Sequence, residues 1–463
     1  MNGLRALVSG LAALALGLFA AHAVVRRVGH IDAPEVRIPD LQLGTEGGVR
    51  RAGRGSVTTL GGILLVHLRG RPEELGTEHA RLLHDEMVQT ESVVWELLDR
   101  NVPNAAARAL LLDIGQVAYR HVDEGFSEER RRELAASALA FRPDPFESRF
   151  PTFQRFVYLA ALYDISLAYE HSPLIGCTTF TFSGESAAGS PLLARAFDFD
   201  VDDVFDRKKA VFVVEPEGEI PFASVAWPGL LGVVSGMNAE GLAVVVHGAR
   251  AGPVRTTGEP VVDELRRLLA RARTTDEAVR DLGKTDALVS HLLILNDAGG
   301  HAVAVERIPG ARSFSRELGP RAAVTNHLEG PFSSDPRNEL VRRTSSTLER
   351  RARGDELVNG LGHPATAEDA VRLLRDRKGA GGTELPLGDR RAVDALIATH
   401  GIVAETGNRT LWVSAGPHLL GRFVAFDLPA LLREDPPAEP PRTIAPDPLL
   451  GTDAARRAMA KHR

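Results

Sequence analysis

The chain has 463 residues, of which 44% are hydrophobic and 25% charged, a composition typical of a globular protein that buries a core. Its formal net charge of −6 provides no basic field, so nucleic acid is not expected as a partner. A single cysteine, Cys177, excludes a disulfide framework and any zinc site built on several thiolates. Without its neighbours, that cysteine is equally typical of a buried structural residue and of a nucleophile.

Residues 1–27 have the pattern of an export segment. A positive charge at Arg5 is followed by residues 6–25, which contain no Asp, Glu, Lys or Arg. About 20 apolar residues can span a bilayer, and residues 21–23 also fit an A-x-A cleavage site. We therefore expect a protein exported to the periplasm or the cell exterior. It is then either released by a signal peptidase or anchored by residues 6–25, and contacts the membrane only through this segment.

Helical and alternating patterns divide the rest of the chain. Residues 28–57, rich in Gly, Arg and Pro, indicate a linker. The predicted elements follow in chain order: a strand at 60–68; helices at 73–98, 104–122, 128–141 and 151–170; strands at 178–182, 192–197, 210–215, 222–226, 230–236 and 242–247; helices at 260–272 and 275–282; strands at 290–296, 301–307 and 321–325; helices at 336–352 and 366–375; and strands at 398–405 and 409–414. Residues 433–463 are typical of a flexible, Pro-rich tail. Strands grouped between helices predict an α+β fold with two sheets layered between helices.

The pair Gly176-Cys177 opens the first strand after the helical region. A thiol at this position can attack the preceding carbonyl, and glycine tolerates the strained backbone geometry that the attack requires. Hydrolysis of the resulting ester would free the α-amino group of Cys177, whose pKa near 8 suits it as a base for its own thiol. The dipeptide alone is more typical of a turn, so the interpretation depends on its neighbours.

Arg195 and Asp198 form an R-x-x-D pattern on the next predicted strand. A hairpin of this length can return both residues beside Cys177. The arginine would favour a thiolate and hold a carbonyl, and the aspartate could accept a hydrogen bond from the α-ammonium group. A surface ion pair, which contributes about 0–1 kcal/mol, is the alternative interpretation.

Two asparagines stand where an amide could meet a developing oxyanion. Asn238 lies in a glycine-bounded turn, and Asn326 ends an apolar strand, ahead of His327. A correctly aimed amide donor lowers a barrier by roughly 3–4 kcal/mol. Asparagine is also a common turn former, and this alternative is stronger for Asn238 than for Asn326.

Together these motifs resemble the N-terminal-nucleophile hydrolases of the acyl-coenzyme A:6-aminopenicillanic acid acyltransferase (peptidase C45) type, to which bile salt hydrolases are related. Two further stretches are similar to that family, at residues 70–83 in the helical segment and at residues 410–417 near the end. The resemblance covers about residues 59–430 in consistent order, although no single motif is specific.

The resemblance implies a four-layer αββα sandwich, with Cys177 as nucleophile and Asn326 as oxyanion donor. It implies that Arg195 and Asp198 organise the nucleophile, and that Asn238 makes a second polar contact. A later arginine usually supports such sites; Arg337 is our choice, with Arg342 as the alternative. Self-cleavage after Gly176 would then divide the chain into a helical segment, 58–176, and a catalytic core, 177–432.

The resemblance further implies a small-molecule amide substrate, whose acyl group passes through a Cys177 thioester to water or to an amine. Abundant Phe and Leu favour an apolar acyl group, and no metal or organic cofactor is implied. Two other interpretations stay open: a cysteine hydrolase that does not process itself, and an inactive binding protein. A serine hydrolase and a zincin are disfavoured, because the G-x-S-x-G and H-E-x-x-H motifs are absent.

Overall fold

The computed structural model describes residues 16–17, 20–168, 175–199, 202–230, 232–435, 437 and 439–460. Most of the predicted export segment lies outside these residues, so export stays a prediction. Within the described ranges, no helix combines the length and the apolar character needed to cross a bilayer.

The described chain consists of helices and strands that alternate in groups. A helix, α1, covers residues 20–28. The other helices are α2 (Pro72–Leu82), α3 (His84–Asn101), α4 (Ala105–Ala118), α5 (Glu128–Ala140), α6 (Thr152–Ala160), α7 (Leu162–Ala168), α8 (Asp203–Arg207), α9 (Val261–Arg271), α10 (Thr275–Leu282), α11 (Pro336–Thr344), α12 (Thr347–Asn359), α13 (Ala367–Leu374), α14 (Leu428–Arg433) and α15 (Asp453–Met459). The strands are β1 (Gly44–Glu46), β2 (Val49–Ala52), β3 (Gly55–Leu60), β4 (Ile63–Gly70), β5 (Ile175–Phe182), β6 (Leu192–Phe199), β7 (Ala210–Pro216), β8 (Phe222–Ala226), β9 (Ser235–Asn238), β10 (Ala243–Gly248), β11 (His291–Asn296), β12 (Ala302–Arg307), β13 (Phe314–Glu317), β14 (Arg321–Val324), β15 (Ala398–Glu405), β16 (Thr410–Ser414), β17 (Phe423–Asp427) and β18 (Thr443–Ile444).

These strands form two sheets. The first sheet has the order β1-β2-β3-β4-β7-β8-β9-β10-β11-β12-β13, and the second has the order β14-β5-β6-β15-β16-β17-β18. Neighbouring strands run antiparallel, except that β4 lies parallel to β7, with residues 64–70 beside residues 210–216. The segment before Cys177 therefore contributes strands to the same sheet as the segment after it.

Alternating side chains build three apolar layers around the sheets. Along β4, Leu65 packs between the two sheets, whereas Val66 and Leu68 face the helices on the outer side of the first sheet. On the outer side of the second sheet, Phe180 packs with residues of α12 and α13. The result is helices, sheet, sheet and helices in sequence, which confirms the predicted α+β sandwich.

The structure differs from the sequence-based elements mainly at the ends of the chain. The predicted linker, 28–57, contains β1, β2 and the start of β3. The predicted tail is also ordered: the side chain of Asp435 accepts a hydrogen bond from Ser56, and α15 packs through Ala455 and Ala458 onto a buried leucine pair. Composition indicated flexibility in both segments, but a few apolar or charged contacts suffice to fix them. The predicted helix 73–98 is two helices, because Leu83 leaves the helical conformation.

Candidate active site

Strand register places the candidate nucleophile beside two of its predicted partners. In the pairing of β5 with β6, Cys177 lies opposite Phe197, Gly176 opposite Asp198, and Thr179 opposite Arg195. Because side chains alternate along a strand, Cys177 and Arg195 point to one face of the sheet, whereas Asp198 points to the other. Cys177 is fully buried.

Arg195 holds the sulfur from the side of the first sheet. Its Nη2 lies 3.3 Å from Cys177 Sγ and donates to the carbonyl of Val246 at 2.6 Å. Its Nη1 donates to the carbonyl of Val234 at 3.0 Å and to the hydroxyl of Ser235. These anchors fix the guanidinium, so its position does not depend on the sulfur. Among the described residues, Arg195 is the only side chain hydrogen bonded to Sγ.

Asn326 approaches the backbone nitrogen of Cys177. Strand β14 pairs with β5 as far as Val324 opposite Thr179, so continuing the chain by two residues brings Asn326 level with Cys177. The Cys177 N–H donates to Asn326 Oδ1 at 2.7 Å, and Asn326 Nδ2 donates to the carbonyl of Gly248 at 3.1 Å. Because Oδ1 faces a hydrogen-bond donor and Nδ2 faces a carbonyl, the orientation of the Asn326 amide is defined. One hydrogen of Nδ2 is then left for an oxyanion.

The arginine that supports this site is Arg350 on α12, which the sequence analysis did not single out. Its Nη1 donates to the Cys177 carbonyl at 2.5 Å and to Thr178 Oγ1 at 2.9 Å, and its Nη2 donates to Asn326 Oδ1 at 3.0 Å. Our choice of Arg337 is corrected here, because its Nη1 donates to the carbonyl of Gly252.

The alternative, Arg342, is exposed and is likewise not the supporting arginine. A signal for Arg350 was present in the sequence. Thr347, Arg350, Gly354 and Val358 recur at helical spacing as the buried face of α12, and an arginine on such a face needs a polar partner.

Asp198 lies against the residue before the nucleophile. A methyl group on Gly176 would come within 3.2 Å of Asp198 Oδ2 and 3.8 Å of Arg350 Nη2. The structure thus gives a reason for glycine that differs from the backbone strain we expected: there is little room for a side chain. Burial raises the pKa of Asp198 to about 6, although Arg350 lowers it. Oδ1 of this carboxylate is buried without a hydrogen-bond partner.

The thiol itself is held in its neutral form. Burial raises the pKa of Cys177, and Asp198 acts in the same direction. Arg195 and Arg350 lower this pKa but do not offset the burial. The thiolate that we expected Arg195 to favour is therefore not the resting form of the intact chain, and nucleophilic attack needs a base.

His247 does not provide that base. It bonds through Nε2 to Thr179 Oγ1 at 2.7 Å and through Nδ1 to the carbonyl of Thr325 at 3.3 Å. Burial lowers its pKa well below the usual value, and Arg195 lowers it further. A neutral ring whose two nitrogens are both occupied serves a structural role.

Asn238 is a second predicted site residue that the structure does not bring to Cys177. Its Nδ2 donates to the carbonyls of Leu269 and Ala272, and its Oδ1 accepts from the backbone N–H groups of Glu240 and Leu242. All four hydrogen-bonding positions of the amide are used to close a turn and to hold the end of α9. The expected polar contact with the nucleophile is corrected to this structural role.

An apolar cavity opens next to the nucleophile. It encloses about 820 Å³ of empty space, part of it open to solvent. Most of its walls are apolar or aromatic: helices α3, α6 and α7 form one side, and Phe197, Phe205, Trp227 and Val234 lie among the residues on the other. Phe197 is the cross-strand partner of Cys177, so the cavity is lined by a direct neighbour of the nucleophile. The helical segment before Cys177 is thus part of the site.

Comparison with known families agrees with the motifs. Residues 185–384 match the family described as acyl-coenzyme A:6-aminopenicillanic acid acyl-transferase. The matched region begins after Cys177 and contains Arg195, Asp198, Asn326 and Arg350. This match confirms the resemblance drawn from the sequence.

Individual relatives are more distant. An uncharacterized protein of Archaeoglobus fulgidus is 26% identical over an alignment of 222 residues. The alignment covers 44% of this chain and 37% of that protein's length. The Caenorhabditis elegans ortholog of N-acylethanolamine-hydrolyzing acid amidase is 17% identical, with a TM-score of 0.38 over 50% of this chain and 93% of its own. Penicillin V acylase from Agrobacterium tumefaciens is 17% identical, with a TM-score of 0.35 over 54% of this chain and 91% of its own.

A third solved structure is a mutant of the conjugated bile acid hydrolase from Clostridium perfringens. It is 10% identical, with a TM-score of 0.36 over 58% of this chain and 96% of its own.

Proposed function

We propose that the protein is a self-processing cysteine acylase, in which Cys177 cuts the bond after Gly176 and then serves as an N-terminal nucleophile. The observation that carries the proposal is the set of contacts around one residue. Arg195 lies against the sulfur, Asn326 accepts from the nitrogen, and Arg350 donates to the carbonyl oxygen. A merely structural buried cysteine needs none of these three.

Self-cleavage would begin with attack of Sγ on the Gly176 carbonyl carbon. The C–N bond breaks, a thioester to Gly176 forms, and the thiol proton ends on the nitrogen of Cys177, which becomes an amine. Water then hydrolyses the thioester and releases a Gly176 carboxylate and the free thiol. We assign the proton relay to Asp198, which is buried beside Gly176 with a pKa of about 6 and approaches the scissile bond from the face of β5 opposite to the sulfur. Its ionised form is therefore available at neutral pH.

After cleavage, the new α-amine would act as the base for the thiol. A terminal amine has a pKa near 8, which is well matched to proton transfer near neutral pH. Asn326 Oδ1, already 2.7 Å from this nitrogen, would keep it beside the sulfur. The thiolate attacks a substrate carboxamide, the amine leaves, and the Cys177 thioester passes its acyl group to water or to an acceptor amine.

The cavity favours an apolar acyl group. Aromatic and aliphatic side chains dominate its lining, and such surfaces bind hydrocarbon by removing it from water. Its position beside Phe197 would let the acyl chain lie in the cavity while its carbonyl reaches Sγ.

The proposal is tested by expressing the full chain with Cys177→Ala. The unchanged protein should give two fragments on a denaturing gel, the second beginning at Cys-Thr-Thr-Phe, and should hydrolyse an acyl amide of an apolar acid. The variant should stay intact and inactive. Thr181→Val is a matched control, because Thr181 lies on the same face of β5 and its hydroxyl has no hydrogen-bond partner; it should cleave normally.

Two results would contradict the proposal. An intact chain that hydrolyses amides through Cys177 would be a cysteine hydrolase without self-processing. An intact, correctly folded chain that hydrolyses no amide would be a binding protein.

A further inference from the structure

Tyr163 on α7 carries a buried hydroxyl group that has no hydrogen-bond partner among the described residues. Buried hydroxyls are nearly always satisfied in folded proteins, so an exception calls for an explanation. This residue lines the apolar cavity beside the candidate nucleophile. It belongs to the segment before the proposed cut, and none of the motifs in the sequence includes it.

The tyrosine lies close to the reacting groups. Its ring stacks on Phe197, with ring centroids 6.5 Å apart and planes inclined by 27°. Phe197 in turn lies opposite Cys177 in the sheet, and its ring lies 4.1 Å from the Arg195 guanidinium. Burial raises the pKa of Tyr163 well above its usual value; charge on Cys177 raises it further and Arg195 lowers it. The phenol therefore lies within electrostatic range of both groups.

The other polar side chains of the cavity wall already have partners. Thr90 donates to a backbone carbonyl of its own helix, and Ser166 does the same. Glu91 accepts from Trp95 and pairs with Arg155, while the indole of Trp227 donates to the carbonyl of Phe205. Of the described hydroxyl groups that line the cavity, this leaves the Tyr163 hydroxyl as the one whose hydrogen has no acceptor.

We propose that the Tyr163 hydroxyl donates a hydrogen bond to an oxygen on the substrate's acyl chain, at the second or third carbon. The preferred substrates are then amides of 2- or 3-oxygenated apolar acids. The attacked carbonyl itself is served from elsewhere: Asn326 reaches Cys177 from the β14 side, whereas Tyr163 lies on the β6 side with Phe197. Because Tyr163 stacks on Phe197, the cross-strand partner of Cys177, we expect an acyl chain in the cavity to pass it close to the carbonyl end. This inference rests on the proposed function for its substrate, but its binding step can be measured without catalysis.

The test measures the binding of decanoate, 2-hydroxydecanoate and 3-hydroxydecanoate to the intact Cys177→Ala chain. Binding is measured by calorimetry or by the change in fluorescence of Trp227, which lies in the cavity wall. A neutral hydrogen bond should make one hydroxy acid bind about 2- to 12-fold tighter than decanoate. Adding Tyr163→Phe should remove that preference and leave decanoate binding unchanged. The phenylalanine variant should fold at least as well, because it removes an unpaired buried hydroxyl.

Tyr158→Phe is the matched control. Its hydroxyl is already bonded to Gln154 at 3.0 Å, so the preference for the hydroxy acid should survive. Equal binding of all three acids, a preference that persists in Tyr163→Phe, or no binding of any acid would each overturn the inference. Amide hydrolysis by the unchanged protein is scored separately. A hydroxy-acid preference without hydrolysis would contradict the proposed function but support the role of Tyr163.

Discussion

Replacing Arg350 with glutamine removes the one group that contacts both the backbone of the nucleophile and its asparagine partner. Arg350 is 4% exposed and donates to the carbonyl of Cys177, to Thr178 Oγ1 and to Asn326 Oδ1. Glutamine is shorter and uncharged, so it cannot span these three acceptors. We expect self-cleavage after Gly176 to slow strongly.

The size of the effect follows from the number and kind of bonds lost. A hydrogen bond to a charged group contributes about 1.5–3 kcal/mol, and two of the three bonds hold groups at the reacting centre. Taking the lower values gives a loss of about 3–4 kcal/mol, or about 10²–10³-fold in rate. Arg350 also lowers the pKa of Asp198, so its removal makes that carboxylate a worse proton acceptor at neutral pH.

The assay is a time course of the intact chain on a denaturing gel after refolding or rapid purification. Thermal unfolding of the Arg350→Gln variant separates loss of chemistry from loss of fold. Arg337→Gln is the matched control, since Arg337 lies half-buried on the preceding helix and donates to Gly252. If Arg350→Gln cleaves as fast as the unchanged chain, or if Arg337→Gln slows cleavage equally, the assignment of Arg350 to the site is wrong.

Three further predictions concern the candidate site and the strands and helices that hold it. The two products of self-cleavage should elute together in native size-exclusion chromatography and separate only in denaturant, because β4 and β7 pair within one sheet across the cut; separation in native buffer would contradict this pairing. The self-cleavage rate should fall below about pH 6, where Asp198 takes up a proton, and Asp198→Asn should remove this dependence along with most of the rate. Because folding raises the pKa of Asp198 from 3.8 to about 6, Asp198 makes the free energy of unfolding decrease as pH rises from about 4 to about 6. The Asp198→Asn variant should lose this pH dependence of the unfolding free energy in denaturant titrations. Gly354→Ala should destabilise the protein by about 1–3 kcal/mol and slow cleavage, since its Cβ would lie 2.8 Å from that of Ala323, whereas Gly362→Ala, with open space around it, should change stability by less than about 0.5 kcal/mol.

Sequence patterns located those site residues whose positions follow from strand geometry. Arg195 and Asp198 lie on the strand next to Cys177, and a short hairpin fixes which residues face one another. Asn326 lies just past the end of β14, the strand on the other side of β5. For Arg195 and Asp198, a hairpin and a period of two predicted the arrangement. The role of Asn326 came from the family resemblance, because no local pattern predicts that β14 lies beside β5.

The roles of other residues were harder to predict. Arg350 stands 24 residues after Asn326 on a separate helix, and no local rule fixes how that helix packs on the sheet. Asn238 was predicted as a site residue because an asparagine that forms a turn cannot be told from an oxyanion donor by sequence alone. The four backbone groups that bond to its amide in the structure identify it as a turn former. Tyr163 could not be predicted as a ligand-binding residue, because only the folded structure shows that its hydroxyl is unpaired.

The two faces of β5 divide the proposed chemistry between different parts of the chain. The Cys177 side chain points toward the first sheet, where Arg195 and the carbonyl of Val246 contact it, whereas its carbonyl is held from the α12 side by Arg350. All these contacts come from residues after the proposed cut. The helical wall of the cavity comes from residues before it, on α3, α6 and α7. Substitutions in those helices should therefore alter which acyl group is accepted and leave self-cleavage unchanged, because the nucleophile's own contacts do not depend on them.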